Sequence, residues 1–391
     1  MAGKLISQGT ATTPASTDMI PLGRPGDTSA RYATVGTLLD TWAGHYVKVD
    51  DYGALGDGST DDIASIQAAI DAGVLLSNTY GQSRIGRLVV HFTPGKIYRT
   101  TAPIDLCDKQ GIMIDGGAPN FGATILCEAT GKAAIEIVGS QNICLQNIQI
   151  YGHQTNKPSA GVFVSRSTAT HGSNGVQITF RNVVFSGYYA NTCYYAVETE
   201  SNHFYECLFY PVDVGNSVVY LAKSNVLSLT PDNATLLGGG YGLYNINFYN
   251  CAFSSAADAT TIYCNEMDTH GLTVRDSYIY GNSTTYPTIV VDGSGVFTLD
   301  NVLFEGSPSK RISVEYKAGA ANYFFATLRD ITWGGEQDYL LYAEDNTDLR
   351  SYVFDGRHNQ SAYSGAYAGV SVYNARMCDF RGLGYYQGDV M

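Results

Sequence analysis

The sequence has no long hydrophobic run. No segment approaches the roughly 18 consecutive apolar residues of a membrane-spanning helix, so membrane insertion is not expected. Residues 1–14 are small and polar and lack the apolar stretch of about 7 to 15 residues that marks a secretory signal peptide. Basic charge is scarce too: 23 Lys and Arg stand against 36 Asp and Glu, a formal net charge of −13, with no basic stripe to offset it. Phosphate backbones and anionic lipid would be repelled, so nucleic acid is not an expected partner. Eight cysteines are present without a CxxC pair, and buried free thiols in a protein made in a reducing cytoplasm are expected rather than disulfides or a metal site. No motif implies a metal or cofactor.

What the sequence has is 43 Gly, 30 Tyr and 45% hydrophobic residues with only 15% charged, a composition suited to short strands separated by turns. One pattern recurs: apolar, any, Asn or Asp, small or apolar, any, large apolar. It covers Leu145–Ile150, Phe180–Phe185, Phe248–Phe253, Val274–Ile279, Leu299–Phe304 and Leu328–Trp333, and Phe204–Phe209 joins it with Glu in third place. The third-place anchors are Asn147, Asn182, Glu206, Asn250, Asp276, Asn301 and Asp330, with weaker ones at Asp355 and Asp379. Such self-similarity defines a solenoid of coils about 25 residues long, with insertions around 154–175 and 223–240. A tight bend between strands needs left-handed backbone, which Asn and Asp tolerate best after glycine, so the anchors read as a structural ladder. Positions two before, one after and three after each anchor then point inward, and those one before and two after face solvent. A third strand precedes each anchor, as in Ile135–Ile137, Ala196–Glu198, Ile262–Cys264 and Ile289–Val291.

Residues 1–44 differ from the rest, with Thr, Ser, Ala, Pro and Gly dominating to Ser29 and a helical spacing of Tyr32, Val35, Leu38 and Leu39 after it. They read as an attachment segment ahead of a solenoid over 45–391; a tail with one helical turn is the alternative. Within Val47–Asp71, Asp57-Gly58 is a turn dipeptide, Thr60 an N-cap, Asp61 and Asp62 first-turn acids, and Ile63, Ile66 and Ile70 one apolar helical face. This stretch, with Arg87–Tyr98 after it, closely resembles the start of the pectate-lyase-like superfamily, which includes polygalacturonase-like enzymes and many phage tailspikes. Met19–Gly23 followed by Ser29–Leu39 resembles the leader of phage tail fibre and tailspike proteins. The resemblance implies an all-β, right-handed single-stranded parallel β-helix with a short N-terminal capping helix. It also makes Asp50, Asp51, Asp57, Asp61 and Asp62 structural.

Candidate chemistry sits where the third strands end. Glu198, Glu266 and Asp292 precede their anchors by 8, 10 and 9 residues, and Asp268 by 8, so all four should line one corner of the rod. Glu266 and Asp292 fall on consecutive coils about 5 Å apart, a separation suited to a retaining carboxylate pair. Solvated turn acids are the alternative. His270 and Arg275 are candidates for orienting a sugar. Tyr151, Tyr205, Tyr210, Tyr249, Tyr278 and Tyr280 are expected to face outward, and the first insertion region is expected to add Tyr188, Tyr189, Tyr194 and Tyr195 to them. Flat amphipathic rings suit sugar stacking, with Tyr205, Tyr249, Tyr278 and Tyr280 the candidates, and they suit a homotrimer interface equally.

Three functions compete. The first is a tailspike that binds and depolymerises host-surface polysaccharide, by hydrolysis or elimination. The second is the same spike without catalysis, a receptor-binding or structural appendage; either would be a virion protein attached to the phage tail or baseplate through its N-terminal segment. The third, a free pectate lyase or polygalacturonase, fits least: His171-Gly172 and His270-Gly271 occur, but no central coil carries an Asp-Asp pair.

Overall fold

The computed structural model describes residues 46–380 apart from 80–87, 119–121, 169–175, 239–241, 256–257, 282, 284, 307–309, 316–323, 334–338, 344–349, 356–358, 361–368 and 373–374, together with the strands Met19–Pro21 and Tyr32–Thr34. Parallel strands stack coil upon coil in three columns. The first runs from Tyr46–Lys48 through Val176–Arg181, Glu200–Tyr205 and Ile246–Tyr249 to Ala375–Phe380, and its strands end just before the anchors. The second begins just after them, from Asp57–Asp61 to Asn359–Gln360. The third runs from Ile104–Asp105 to Gly369–Val372. In two coils the turns are so extended that single strands, Thr260–Tyr280 and Ile289–Glu305, pass through all three columns.

The anchors do what their chemistry demands. All seven from Asn147 to Asp330 have φ between 49° and 56°. Asn182 Nδ2 donates to Asn147 Oδ1 at 3.1 Å, Asn147 Nδ2 to Asp115 Oδ1 at 3.2 Å, and Asn301 Nδ2 to Asp276 Oδ1 at 2.8 Å, so part of the amide ladder exists as expected. Inward positions stack in kind: Phe180, Phe204 and Phe248 lie 4.4 and 4.5 Å apart centre to centre, and Phe185, Phe209 and Phe253 lie 4.7 and 4.8 Å apart. Near-parallel rings at this spacing follow from the coil repeat and add about 0.5–1.5 kcal/mol per pair beyond burial. Each of the seven cysteines at 107, 127, 144, 193, 207, 251 and 264 is a buried free thiol; Cys378 lies outside the described side chains.

Several expectations are corrected. The N-terminal helix is Ile63–Thr79, and Asp57–Asp61 is a strand, so Thr60 is not the N-cap. Asp57 instead accepts bonds from the Ser59 and Thr60 amides and the Thr60 hydroxyl, while Asp62 accepts the Leu55 and Gly56 amides. Ile66, Ala69 and Ile70 are buried in the same core that continues along the coils. Tyr32 lies in a strand antiparallel to Met19–Pro21, and residues 35–39 lie outside the described residues. Tyr189 and Tyr194 are core residues, not outward rings, and Tyr195 is fully buried under the segment 223–238. Asp355 pairs with Arg329 and Asp379 with Val353, so both stand before the true anchor position.

The insertion around 154–175 also contains a strand that was not anticipated, Ala160–Ser165, which supplies that coil's third-column member. The second insertion is a strap. Leu229 and Leu236 pack on the outward side of the third column with Phe163, Tyr195 and Val197, forming a small cluster separate from the main core. Its edges are tied by Lys132 Nζ to Thr230 O and Asp232 Oδ1, both 2.6 Å, and by Asn233 to Asp105 at 2.9 Å.

Candidate functional site

The outer side of the anchor corner, between the first and second columns, is concave. Two contiguous cavities, about 570 and 380 Å³, follow it along the rod and share Asn182, Glu206 and Asn250 in their floor. One rim is the solvent-facing row one before the anchors, where the register stacks Arg181, Tyr205, Tyr249, Arg275, Asp300 and Arg329 on successive coils. The Tyr205 and Tyr249 rings lie 5.4 Å apart at 16°. The Arg181 guanidinium sits 4.5 Å from the Tyr205 ring centre, and Arg275 Nε is 3.1 Å from Asp300 Oδ2. His203, alongside Tyr205, has its pKa lowered by burial and is neutral near pH 7.

The opposite rim is the row two after the anchors: Leu208, Ala252, Tyr278, Leu303 and Thr332. Tyr278 donates its hydroxyl to Glu305 Oε2 at 2.9 Å, and burial and then that carboxylate push its pKa up to about 12. Tyr280 stands one outward row further along the same strand, opposite Ser254 and Glu305. The groove therefore offers flat rings, amide and carboxylate hydrogen-bonding groups and guanidinium groups along one line, which is what holding a polyhydroxylated chain requires.

Of the expected sugar-contacting residues, Tyr205, Tyr249, Tyr278 and Arg275 meet at this groove, with Tyr280 beyond its far rim. The acidic residues do not join them. Register gives Cys264 opposite Val291 and Met267 opposite Gly293, so Asn265 and Glu266 both stand opposite Asp292 in a bulge. Glu266 and Asp292 are thus backbone neighbours on consecutive coils, and Asp268 follows opposite Ser294. The side chains of Glu266, Asp268 and His270 lie outside the described residues. Asp292 is near the Tyr220 hydroxyl and the buried Cys264 thiol, whose pKa values its charge helps to raise after desolvation. Glu198 is buried with φ 49°, and the coil bearing Lys223 separates it from this pair. From Thr269 to Arg275 the extended chain spans about 20 Å, so the acidic corner and the tyrosine groove occupy opposite edges of the first column.

Sequence reasoning missed Arg181 and the concavity itself. The signal was present: the residue before the anchor reads Arg, Tyr, Tyr, Arg over four consecutive coils, and Glu206 is the one anchor that is neither Asn nor Asp. Among the described residues no group of three or more His, Cys, Asp or Glu side chains is placed to hold a metal ion.

The architecture is that of a parallel β-solenoid with a groove along one corner, and comparison with known proteins refines this class. Residues 46–129 match the family model described as Rhamnogalacturonase A/epimerase, pectate lyase-like. The chain is similar in structure to ORF18 of Geobacillus virus E2, at 18% identity over 92% of this chain and 68% of that one, with a TM-score of 0.56. It is similar to alginate lyase from Paenibacillus sp. str. FPU-7, at 11% identity over 76% and 92%, TM-score 0.51. It also resembles full-length tailspike protein 2 from Escherichia coli O157:H7 bacteriophage CAB120, at 12% identity over 88% of this chain but 42% of that one, TM-score 0.48. Sequence comparison with curated proteins finds no match. The first coils thus carry the pectate-lyase-like signature, and the solenoid continuing from them has the fold shared with the Geobacillus virus E2 and Paenibacillus structures.

Proposed function

We propose that this protein is a tailspike-like virion component that recognises host-surface polysaccharide, capsule or lipopolysaccharide, in the groove along its anchor corner. The observation that carries this reading is the Tyr205–Tyr249 pair, two rings in register on consecutive coils, flanked by Arg181 and Arg275 above an amide-lined cavity. The pectate-lyase-like signature and the similarity to a viral protein support it, as does the leader-like segment at residues 1–44, which we assign to attachment to the phage tail. Catalysis would be a separate step on a stretch of polysaccharide reaching the opposite edge of the first column, where Glu266 and Asp292, backbone neighbours on consecutive coils, are the pair for depolymerisation by one subunit, with Asp268 two residues on and Glu198 two coils away.

Binding of surface polysaccharide to the full chain tests the first step. Tyr249→Ala is expected to weaken binding about tenfold, from stacking and area lost together, while leaving the unfolding midpoint within a few degrees. An unchanged affinity removes the groove from recognition. If the spike also depolymerises, Glu266→Gln lowers the appearance of new reducing ends by about 10²- to 10⁴-fold with binding intact. Full activity in both Glu266→Gln and Asp292→Asn excludes that corner.

A further inference from the structure

We infer that the groove takes an uncharged glycan lying along the rod axis, and that Glu206 is the floor residue that turns polyuronates away. This rests on the reading that the groove binds glycan. Direction comes from the register: the tyrosines, the floor amides and both cavities repeat from coil to coil, so contacts accumulate only for a chain running across the strands.

Charge sets the class of chain. Of the guanidinium groups on the rim, Arg275 and Arg329 share Asp300 at 3.1 and 3.9 Å, and Arg181 lies over the Tyr205 ring. The floor carries the carboxylates of Glu206 and Asp276, and Glu305 stands on the far rim with Tyr278. A polyuronate would bring a carboxylate with each sugar into a groove where four carboxylates, Glu206, Asp276, Asp300 and Glu305, face three guanidinium groups, Arg181, Arg275 and Arg329, and like charges a few ångströms apart oppose binding. The hydroxyls of an uncharged glycan donate to the same carboxylates and to the Asn carbonyls without that cost.

Glu206 is singled out by its charge and its place. It holds φ 56° like its neighbours in the row, but of the three floor residues shared by both cavities, Asn182, Glu206 and Asn250, it alone is charged. A fixed charge at that central place meets a chain in either cavity, which is why Glu206 is the residue assigned to exclude polyuronates.

The test is calorimetry on the full chain at physiological salt, with dextran, mannan and galactan as neutral probes and polygalacturonate and alginate as polyuronates. At least one neutral probe is expected to bind and to lose about tenfold in Tyr249→Ala, and both polyuronates are expected to bind measurably but at least about tenfold more weakly than that probe. In Glu206→Asn and Asp276→Asn, which install the residue found at neighbouring anchors, polyuronate binding should gain about fivefold for each carboxylate removed. Glu206→Gln repeats the measurement with side-chain length kept. Polyuronate binding by the unaltered chain, as strong as any neutral probe and lost in Tyr249→Ala, overturns this inference and leaves the glycan groove standing. No gain in Glu206→Asn or Glu206→Gln removes Glu206 as the determinant. No Tyr249-dependent binding of any probe overturns the groove and this inference together.

Discussion

Glu136 lies on the outward side of the strand Ala133–Val138 yet is 3% exposed, because the strap covers it. Desolvation raises its pKa from 4.5 to about 7; Asp232 and Asp105 push the same way, while Lys132 and the Asp232 amide oppose. The folded state therefore holds a proton that the unfolded chain releases, and stability falls as pH rises from about 4.5 to 7, by at most about 3 kcal/mol. Glu128 acts in the opposite sense. Arg99 pairs with it at 2.9 Å and holds its pKa down at about 2, so its contribution is present above pH 4.5 and lost as pH falls towards 2. Urea unfolding across pH should show a decline between pH 5 and 7 that is absent in Glu136→Gln. An unchanged slope in that variant would place the burial cost of Glu136 elsewhere.

The strap 223–238 is the element whose removal has the clearest local consequence. Leu229 is 3% exposed and anchors the cluster over Phe163 and Tyr195, which stack at 5.2 Å. Truncating such a leucine costs about 2–5 kcal/mol, and the low end is expected because a surface strap relaxes more easily than a coil. Denaturant midpoints for Leu229→Ala measure the loss. A change below about 0.5 kcal/mol would mean the strap contributes little. The coils beneath are built differently, each held by parallel pairing on two sides and by rings stacked on rings. Stability there is distributed along the rod and follows the nearest-neighbour logic of solenoids.

At the scale of the whole molecule, three such rods side by side would bury outward tyrosines that do not line the groove, such as Tyr210 at 41% exposure. The homotrimer is therefore proposed together with attachment through residues 1–44, and one truncation separates the two ideas. Deleting 1–44 is expected to leave the unfolding midpoint nearly unchanged and the mass by light scattering at three chains, while abolishing incorporation into particles. A truncated chain that fails to fold makes the segment part of the solenoid. A stable monomer in the full chain at micromolar concentration removes the trimer.

The repeat, the left-handed anchors and the inward rows were legible in the sequence, because each depends on residues within one coil. Asn and Asp recur where φ must be positive, and Phe recurs where the next coil presents Phe. The partial failures have one physical origin. Whether Tyr195 faces solvent depends on a strap some 30 residues away, and the burial of Glu136 depends on Lys132 meeting Asp232, 100 residues along the chain. Composition carries no trace of such contacts. Tyrosines and carboxylates counted back from the same anchors looked like one site, since periodicity reports position along a coil and not the angle between its sheets. Only the fold turned the anchor corner into a groove and set the acidic corner at the opposite edge of the column, because concavity arises from how three sheets close around one core.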